Sequence, residues 1–150
     1  MSSIIENCQG LPERRFATGE TVLEEGKKLG LIYILAEGSV EILKEDVQLN
    51  RVSAPGAIFG EMSILLDQPH MATVRALTDS RFYVAANGKA FLKAHPEINL
   101  HVSTLLAERL NSMASYLVDL KKQFEDRADH LGIVDEVLES LSHLQTKKKP

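Results

Sequence analysis

Cysteine is nearly missing from this chain. Cys8 stands alone among 150 residues, so no intramolecular disulfide can form. Tryptophan is absent and aromatic residues make up only 5%, which leaves little for a platform that stacks single-stranded nucleic acid. Excess positive charge is missing too. The formal net charge is -4, so the surface as a whole gives no electrostatic reason to bind nucleic acid. No apolar run approaches the ~18 residues of a membrane-spanning helix. Residues 1–10 lack the basic start and apolar stretch of a signal peptide. The expectation is a cytoplasmic protein with no membrane partner. Catalytic chemistry is also thin. The histidines are His70, His95, His101, His130 and His143, and no pair has the i, i+4 spacing of a helical zinc site. Cys8 lies far from them in sequence, and neither a nucleophile elbow nor a P-loop appears. The reading is a non-enzyme with no metal site and no required cofactor.

What is present is an ordinary globular composition, 44% hydrophobic and 25% charged. The length suits one domain with a helical appendage. The chain has two grammars. From about Arg14 to Ala85 it reads as short strands broken by turns: "ETVLEE", two runs around Glu37-Gly38, "VQLNRV", "ATVRAL" and "SRFYVA". Strands at intervals of ~8–12 residues, punctuated by Gly, Pro and Asp, predict a small sandwich or barrel. After Ala86 the pattern is helical. Asn87 is placed to cap "GKAFLKAH", and Pro96 suits the first turn of a further helix.

From Leu106 an apolar stripe runs through Leu110, Met113, Leu117, Leu120 and Phe124, then Leu131, Val134, Leu138 and Leu141. This 4,3 alternation is the narrow seam of paired helices. Arg127 interrupts it and Gly132 weakens it. The expectation is one helix to about residue 125, a break, and a second near 129–144, with a flexible basic tail at 146–150. The stripe outlasts the ~30 Å of a small domain at about 1.5 Å per residue. Packing on the strand domain, a helical hairpin, and a parallel pair in a homodimer all remain open, with the homodimer favoured. The organisation read from this pattern is a roll with short helices at 1–96 and hinge or dimerisation helices at 97–145.

The stretch "FGEMSILLDQPHMATVRA" has the form of an anion-binding device. Gly60 permits close backbone approach. "EMSILL" is a turn or two of helix whose first N–H groups form an anion nest. Glu61, an acceptor when ionised, suits a sugar hydroxyl and not a phosphate. "LDQPHM" turns the chain back to Thr73. Taken singly, each residue has a plainer reading: a helix-start carboxylate, a surface histidine, a turn. Their order and spacing argue for a site. Arg75 shares the face of Thr73; both an inward role and an outward solvated one are open for it.

With these residues in order the chain resembles the cyclic-nucleotide-binding domains of catabolite-activator-type regulators, protein kinase A regulatory subunits and cyclic-nucleotide-gated channels. The resemblance covers roughly residues 16–110 and rests on "ATGETVLEEG", "YILAEGSVEI", "PGAIFGEMSILLDQPHMATVRA" and "FLKAHPEINLHVSTLLAERL". It implies an α+β fold: an antiparallel, jelly-roll-like β-roll with an N-terminal helix and long C-terminal helices. It implies cAMP or cGMP as ligand and residues 59–74 as the phosphate-binding cassette. Glu61 would accept the ribose 2′-hydroxyl, the N–H groups of Gly60, Met62 and Ser63 would hold the phosphate, and Thr73 would lie on the pocket strand. Ser112, Met113 and Ser115 would lie near the base, unless Met113 belongs wholly to the dimer seam with Leu106, Leu110, Leu117, Leu120 and Phe124.

One departure is chemical. The family's cassette reads close to Pro-Arg-Ala-Ala-Thr, and here it reads "PHMAT". His70 replaces a fixed, forked cation, and Met71 replaces a small residue. A free imidazole with pKa ~6.5 is often uncharged at neutral pH. Losing a charge-assisted hydrogen bond of about 1.5–3 kcal/mol costs about tenfold or more in affinity. Two functions are therefore weighed: a ligand-gated regulatory module that binds less firmly, and a ligand-free dimeric scaffold for a protein partner. Direct DNA binding is not expected, because the stretch beyond residue 125 is too short for a helix-turn-helix domain.

Overall fold

In the computed structural model, residues 2–124 and 128–143 are described. The expected interruption at Arg127 and the tail at 146–150 lie outside them, as does the side chain of Leu131. Among the described residues no helix is long and apolar enough to cross a membrane.

The strand half folds as expected. Eight strands come after a short helix α1 (Ser2–Glu6): β1 (Glu13–Phe16), β2 (Thr21–Leu23), β3 (Ile32–Glu37), β4 (Val40–Lys44), β5 (Val47–Val52), β6 (Ile58–Phe59), β7 (Thr73–Ala76) and β8 (Ser80–Ala85). They form two four-stranded sheets, ordered β1-β8-β3-β6 and β2-β7-β4-β5. Every pairing is antiparallel. Inward residues of both sheets meet in one core: Phe16, Tyr33, Leu35, Phe59, Phe82 and Val84 from the first, Val22, Leu23, Val40, Val74 and Ala76 from the second. This is the antiparallel β-roll.

The few aromatic rings are concentrated. Phe82 is fully buried, and the rings of Phe16, Tyr33 and Phe59 stand edge-on to it with centroids at 5.6, 5.8 and 6.1 Å. Edge-to-face packing suits the ring quadrupoles. Strand β3 is buried on both faces, which explains its unbroken "IYIL": Tyr33 and Leu35 enter the roll core, while Ile32 and Ile34 are buried on the other side. There the N-terminus of α3 (Gly88–Ala94) closes on Ile32 and on Ile64 of α2 (Glu61–Leu66). A Cβ on Gly88 would meet the Cδ1 of Ile64 at 2.0 Å. Asn87 caps α3 as the sequence implies, its Oδ1 accepting from the Ala90 N–H at 3.0 Å.

Helix α4 (Pro96–Gln123) starts at the expected proline, and α5 (Ala128–His143) comes next. The described chain divides into two compact units, Met1–Val102 and Ser103–Pro150. In the first, Ile98 and Val102 of α4 are buried. In the second, Lys121 of α4 pairs with Asp135 of α5. These residues are 14 apart in sequence, which in one straight helix would separate them by about 21 Å. The two are therefore not one straight helix. Along the stripe, Leu106, Leu117, Leu120, Val134, Leu138 and Leu141 are half-buried, while Leu110, Met113 and Phe124 are exposed.

Replacing Phe82 with alanine removes the ring that joins the aromatic contacts of the core. Chemical denaturation is expected to show a loss of about 3–5 kcal/mol. A loss below about 1 kcal/mol would mean the cluster is not the hub of the core.

Candidate functional site

The loop of interest begins where β6 leaves the core. Phe59 is held among the aromatic rings, and Gly60 turns left-handed with φ 93°. A Cβ on Gly60 would lie 2.5 Å from the main-chain oxygen of Leu31. Only glycine meets both the conformation and the approach. Helix α2 opens directly after it at Glu61. The first intrahelical bond runs from the Ile64 N–H to the Gly60 carbonyl at 3.3 Å. Glu61, Met62 and Ser63 form the first turn of α2, ahead of that bond. Glu61 is 8% exposed and Ser63 4%, and Met62 is half-buried.

The helix is short because its exit is fixed. Asp67 is left-handed at φ 53° and its N–H returns to the Ser63 carbonyl. The Gln68 N–H donates to the same carbonyl at 3.0 Å, and the Ser63 hydroxyl donates to the Gln68 carbonyl. Lys28 pairs with Asp67 at 2.6 Å and holds its carboxyl below the usual range.

The return turn is clasped by its main chain. Gly26 N–H donates to the His70 carbonyl at 2.9 Å, and His70 N–H donates to the Lys27 carbonyl at 2.8 Å. The Glu25 N–H donates to the Thr73 hydroxyl oxygen at 3.0 Å, and the Lys44 ammonium donates to the Met71 carbonyl at 2.9 Å. None of these partners was legible in the sequence. Met71 itself is 47% exposed.

The His70 side chain is 6% exposed, and its Nε2 is buried without a hydrogen-bond partner. Among the described residues the only other such side-chain atom is His101 Nε2. Burial pushes the His70 pKa below its ordinary 6.5, because an imidazolium loses hydration there. The histidine that follows Pro69 is thus a buried imidazole whose protonated form is disfavoured, and not a surface turn residue. Arg75 does not replace the missing cation. On β7, Thr73 and Arg75 alternate with the buried Val74 and Ala76, and Arg75 grips Glu41 Oε2 through two nitrogens at 3.0 and 2.9 Å. The Glu41 carboxyl is held low by its hydrogen bonds from Gln48 and then Arg75.

In the first unit Gly60 caps α2, which carries Glu61, Met62 and Ser63, while His70 and Met71 lie in the return turn and Thr73 begins β7. Ser112, Met113 and Ser115 lie on α4 in the second unit, all exposed.

Two antiparallel sheets closed over one core, with a glycine-entered helix and a clasped return turn, define an antiparallel β-roll. The chain belongs to the cyclic nucleotide-binding domain family, whose model matches residues 13–94, more than half of its length. It is 37% identical over 68 residues to a cAMP-dependent protein kinase regulatory subunit of Yarrowia lipolytica, covering 45% of this chain and 18% of that protein. It is 33% identical over 81 residues to a cGMP-dependent protein kinase of Caenorhabditis briggsae, covering 54% of this chain and 11% of that one. The matched part is thus less than a fifth of these relatives' own lengths. The fold is also that of the catabolite activator protein of Thermus thermophilus, with a TM-score of 0.65 at 20% identity, over 100% of this chain and 88% of that one. The family's domain is a regulatory module, and where relatives are kinases it is a part separate from the catalytic one.

A pH test probes the buried imidazole directly. Above pH 6.5 His70 is neutral in both folded and unfolded chains. Below it the unfolded chain takes up the proton first, so stability falls until folded His70 titrates as well. Urea titration at pH 7.5 and 5.5 is expected to show a smaller loss for His70→Gln than for the parent. Equal losses would contradict a depressed His70.

Proposed function

We propose that this chain is a cyclic-nucleotide-binding regulatory module whose cassette keeps its ribose and amide contacts but grips phosphate weakly. The observation that carries this reading is the left-handed Gly60 packed on the Leu31 carbonyl, opening α2 onto a buried Glu61. This supports Glu61 as acceptor for the ribose 2′-hydroxyl and the N–H groups of Gly60, Met62 and Ser63 as phosphate donors. Thr73 flanks them on β7, with its oxygen already engaged by the Glu25 N–H. His70 supplies the phosphate with a cation only when protonated. Ser112, Met113 and Ser115 are the candidate base contacts.

In this reading the roll is the receptor (residues 1–96) and the helices at 97–145 are the output. The exposed Leu110, Met113 and Phe124 support a seam between two copies of the chain, continued by Leu106, Leu117 and Leu120. Ligand binding biases how those helices pair, and through them a protein partner. The reading involves neither catalysis nor direct DNA contact.

Isothermal titration with cAMP and cGMP at pH 6 and pH 8 is expected to give saturable binding, tighter at pH 6. The sign comes from linkage: a phosphate favours imidazolium, so binding takes up a proton, and affinity rises by up to about tenfold per pH unit above the folded pKa. Glu61→Ala is expected to weaken binding about 10- to 100-fold, the worth of one hydrogen bond to a charged group. It should also abolish the difference between cAMP and its 2′-deoxy analogue. No binding at millimolar ligand at either pH would favour the ligand-free scaffold.

A further inference from the structure

Between β8 and α3 the chain carries a chemically labile pair. Asn87–Gly88 is the one Asn-Gly dipeptide in the sequence; the other asparagines precede Cys8, Arg51, Leu100 and Ser112. An asparagine deamidates when the next main-chain nitrogen, losing its proton, bonds to the side-chain amide carbon. Ammonia leaves and a five-membered succinimide remains. Water then opens the ring at either carbonyl, giving aspartate or isoaspartate. Glycine permits ring closure most readily, because no side chain shields its nitrogen or restricts the backbone.

The fold calls for both members of the pair. Gly88 is buried, and a Cβ on it would collide with Ile64 Cδ1 and lie 2.9 Å from Ile32 Cγ1. Asn87 is exposed and caps α3 by accepting from the Ala90 N–H at 3.0 Å. The same packing restrains the reaction. The Gly88 N–H donates to the Gly30 carbonyl at 2.9 Å, so the attacking nitrogen's proton is engaged. The Asn87 carbonyl accepts from the Phe91 N–H at 3.0 Å, so the peptide is fixed on its other side. Ring closure requires these bonds and the side-chain cap to give way together, which means that α3 lifts from Ile32 and Ile64. Openings of this kind are local and cost less than global unfolding.

We propose that Asn87 is a deamidation site masked by the docking of α3 on α2, and that isoaspartate at this position undoes the docking. Isoaspartate routes the main chain through the side-chain carbon and lengthens the link to Gly88. The cap on Ala90 and the bond to Gly30 then no longer fit together. Gly30 precedes Leu31, whose carbonyl seats Gly60, and Ile64 lies on α2, so the change reaches the back of the helix that carries Glu61. Aspartate, the other product, leaves the backbone unchanged and caps a helix as well as asparagine does. This modification is independent of the proposed ligand.

The test incubates the full chain at pH 8, folded and in denaturing urea, and follows aspartate and isoaspartate by peptide chromatography and mass spectrometry. In urea Asn87 is expected to react ahead of every other asparagine. In the folded chain it should react about tenfold or more slowly than in urea. Ile64→Ala leaves the dipeptide and its cap in place and should speed the folded reaction severalfold by loosening α3. Asn87→Ser caps without an amide and should fold like the parent and yield no product at this position. Separated by anion exchange, the isoaspartyl form should melt below the parent and the aspartyl form with it. Equal rates in folded and unfolded chains would overturn the masking, and so would a folded Ile64→Ala protein that reacts at the parent's rate. Another asparagine reacting first in urea, or no product there, would overturn the assignment to Asn87. An isoaspartyl form that melts with the parent would overturn the effect on docking. If Ile64→Ala does not fold, amide exchange of the parent decides: a Gly88 N–H that exchanges as fast as an exposed loop amide would overturn the masking, and a protected one would support it.

Discussion

Two main-chain hydrogen bonds, from the Gly26 N–H to the His70 carbonyl and from the His70 N–H to the Lys27 carbonyl, tie the cassette's return turn to a loop far upstream. Main-chain bonds are indifferent to the side chain they carry. Whatever residue stands at position 70 is therefore held at the same place, in a setting where the side chain is almost wholly buried. The same segment is fixed again by the Thr73 hydroxyl oxygen, which receives the Glu25 N–H, and by Lys44 on the Met71 carbonyl. At the other end, Gly60 is set against the Leu31 carbonyl and Phe59 against the Phe82 ring. The frame of the site is thus a property of backbone and core, separable from its charge.

That separation explains how the chain keeps the family's architecture while changing its chemistry. An arginine held in this frame brings a permanent charge and a forked donor set. A histidine brings an imidazole that burial keeps neutral. The surrounding lysines and Arg75 are each paired with a nearby carboxylate. In the proposed reading Glu61 is the acceptor for a hydroxyl donor, which an ionised carboxylate suits better than an anion.

Much of the fold was legible because it is local. The turn-bounded runs "SRFYVA" and "VQLNRV", the cap at Asn87 and the proline at Pro96 each report structure within a few residues, and each element lies where the pattern put it. Helices α4 and α5 lie close to the bounds that the stripe suggested, while its interruption at Arg127 lies outside the described residues. The electrostatics of the site was not. Whether Arg75 faces a ligand or a partner depends on Glu41, on a neighbouring strand. Whether His70 is a surface histidine or a buried one depends on Gly26 and Lys27, and no periodicity connects those positions. Register and burial decide such questions, and they exist only once the sheets are assembled.

The central claim is that a backbone frame delivers a neutral imidazole where the family delivers a fixed cation. Following the His70 ring resonances by NMR across pH 4 to 8 tests it most directly. The account predicts a midpoint below the ordinary ~6.5 in the free protein, moving upward when cAMP is added. A midpoint at or above that ordinary value in the free protein would contradict it, because His70 would then already carry the charge that the site is said to lack.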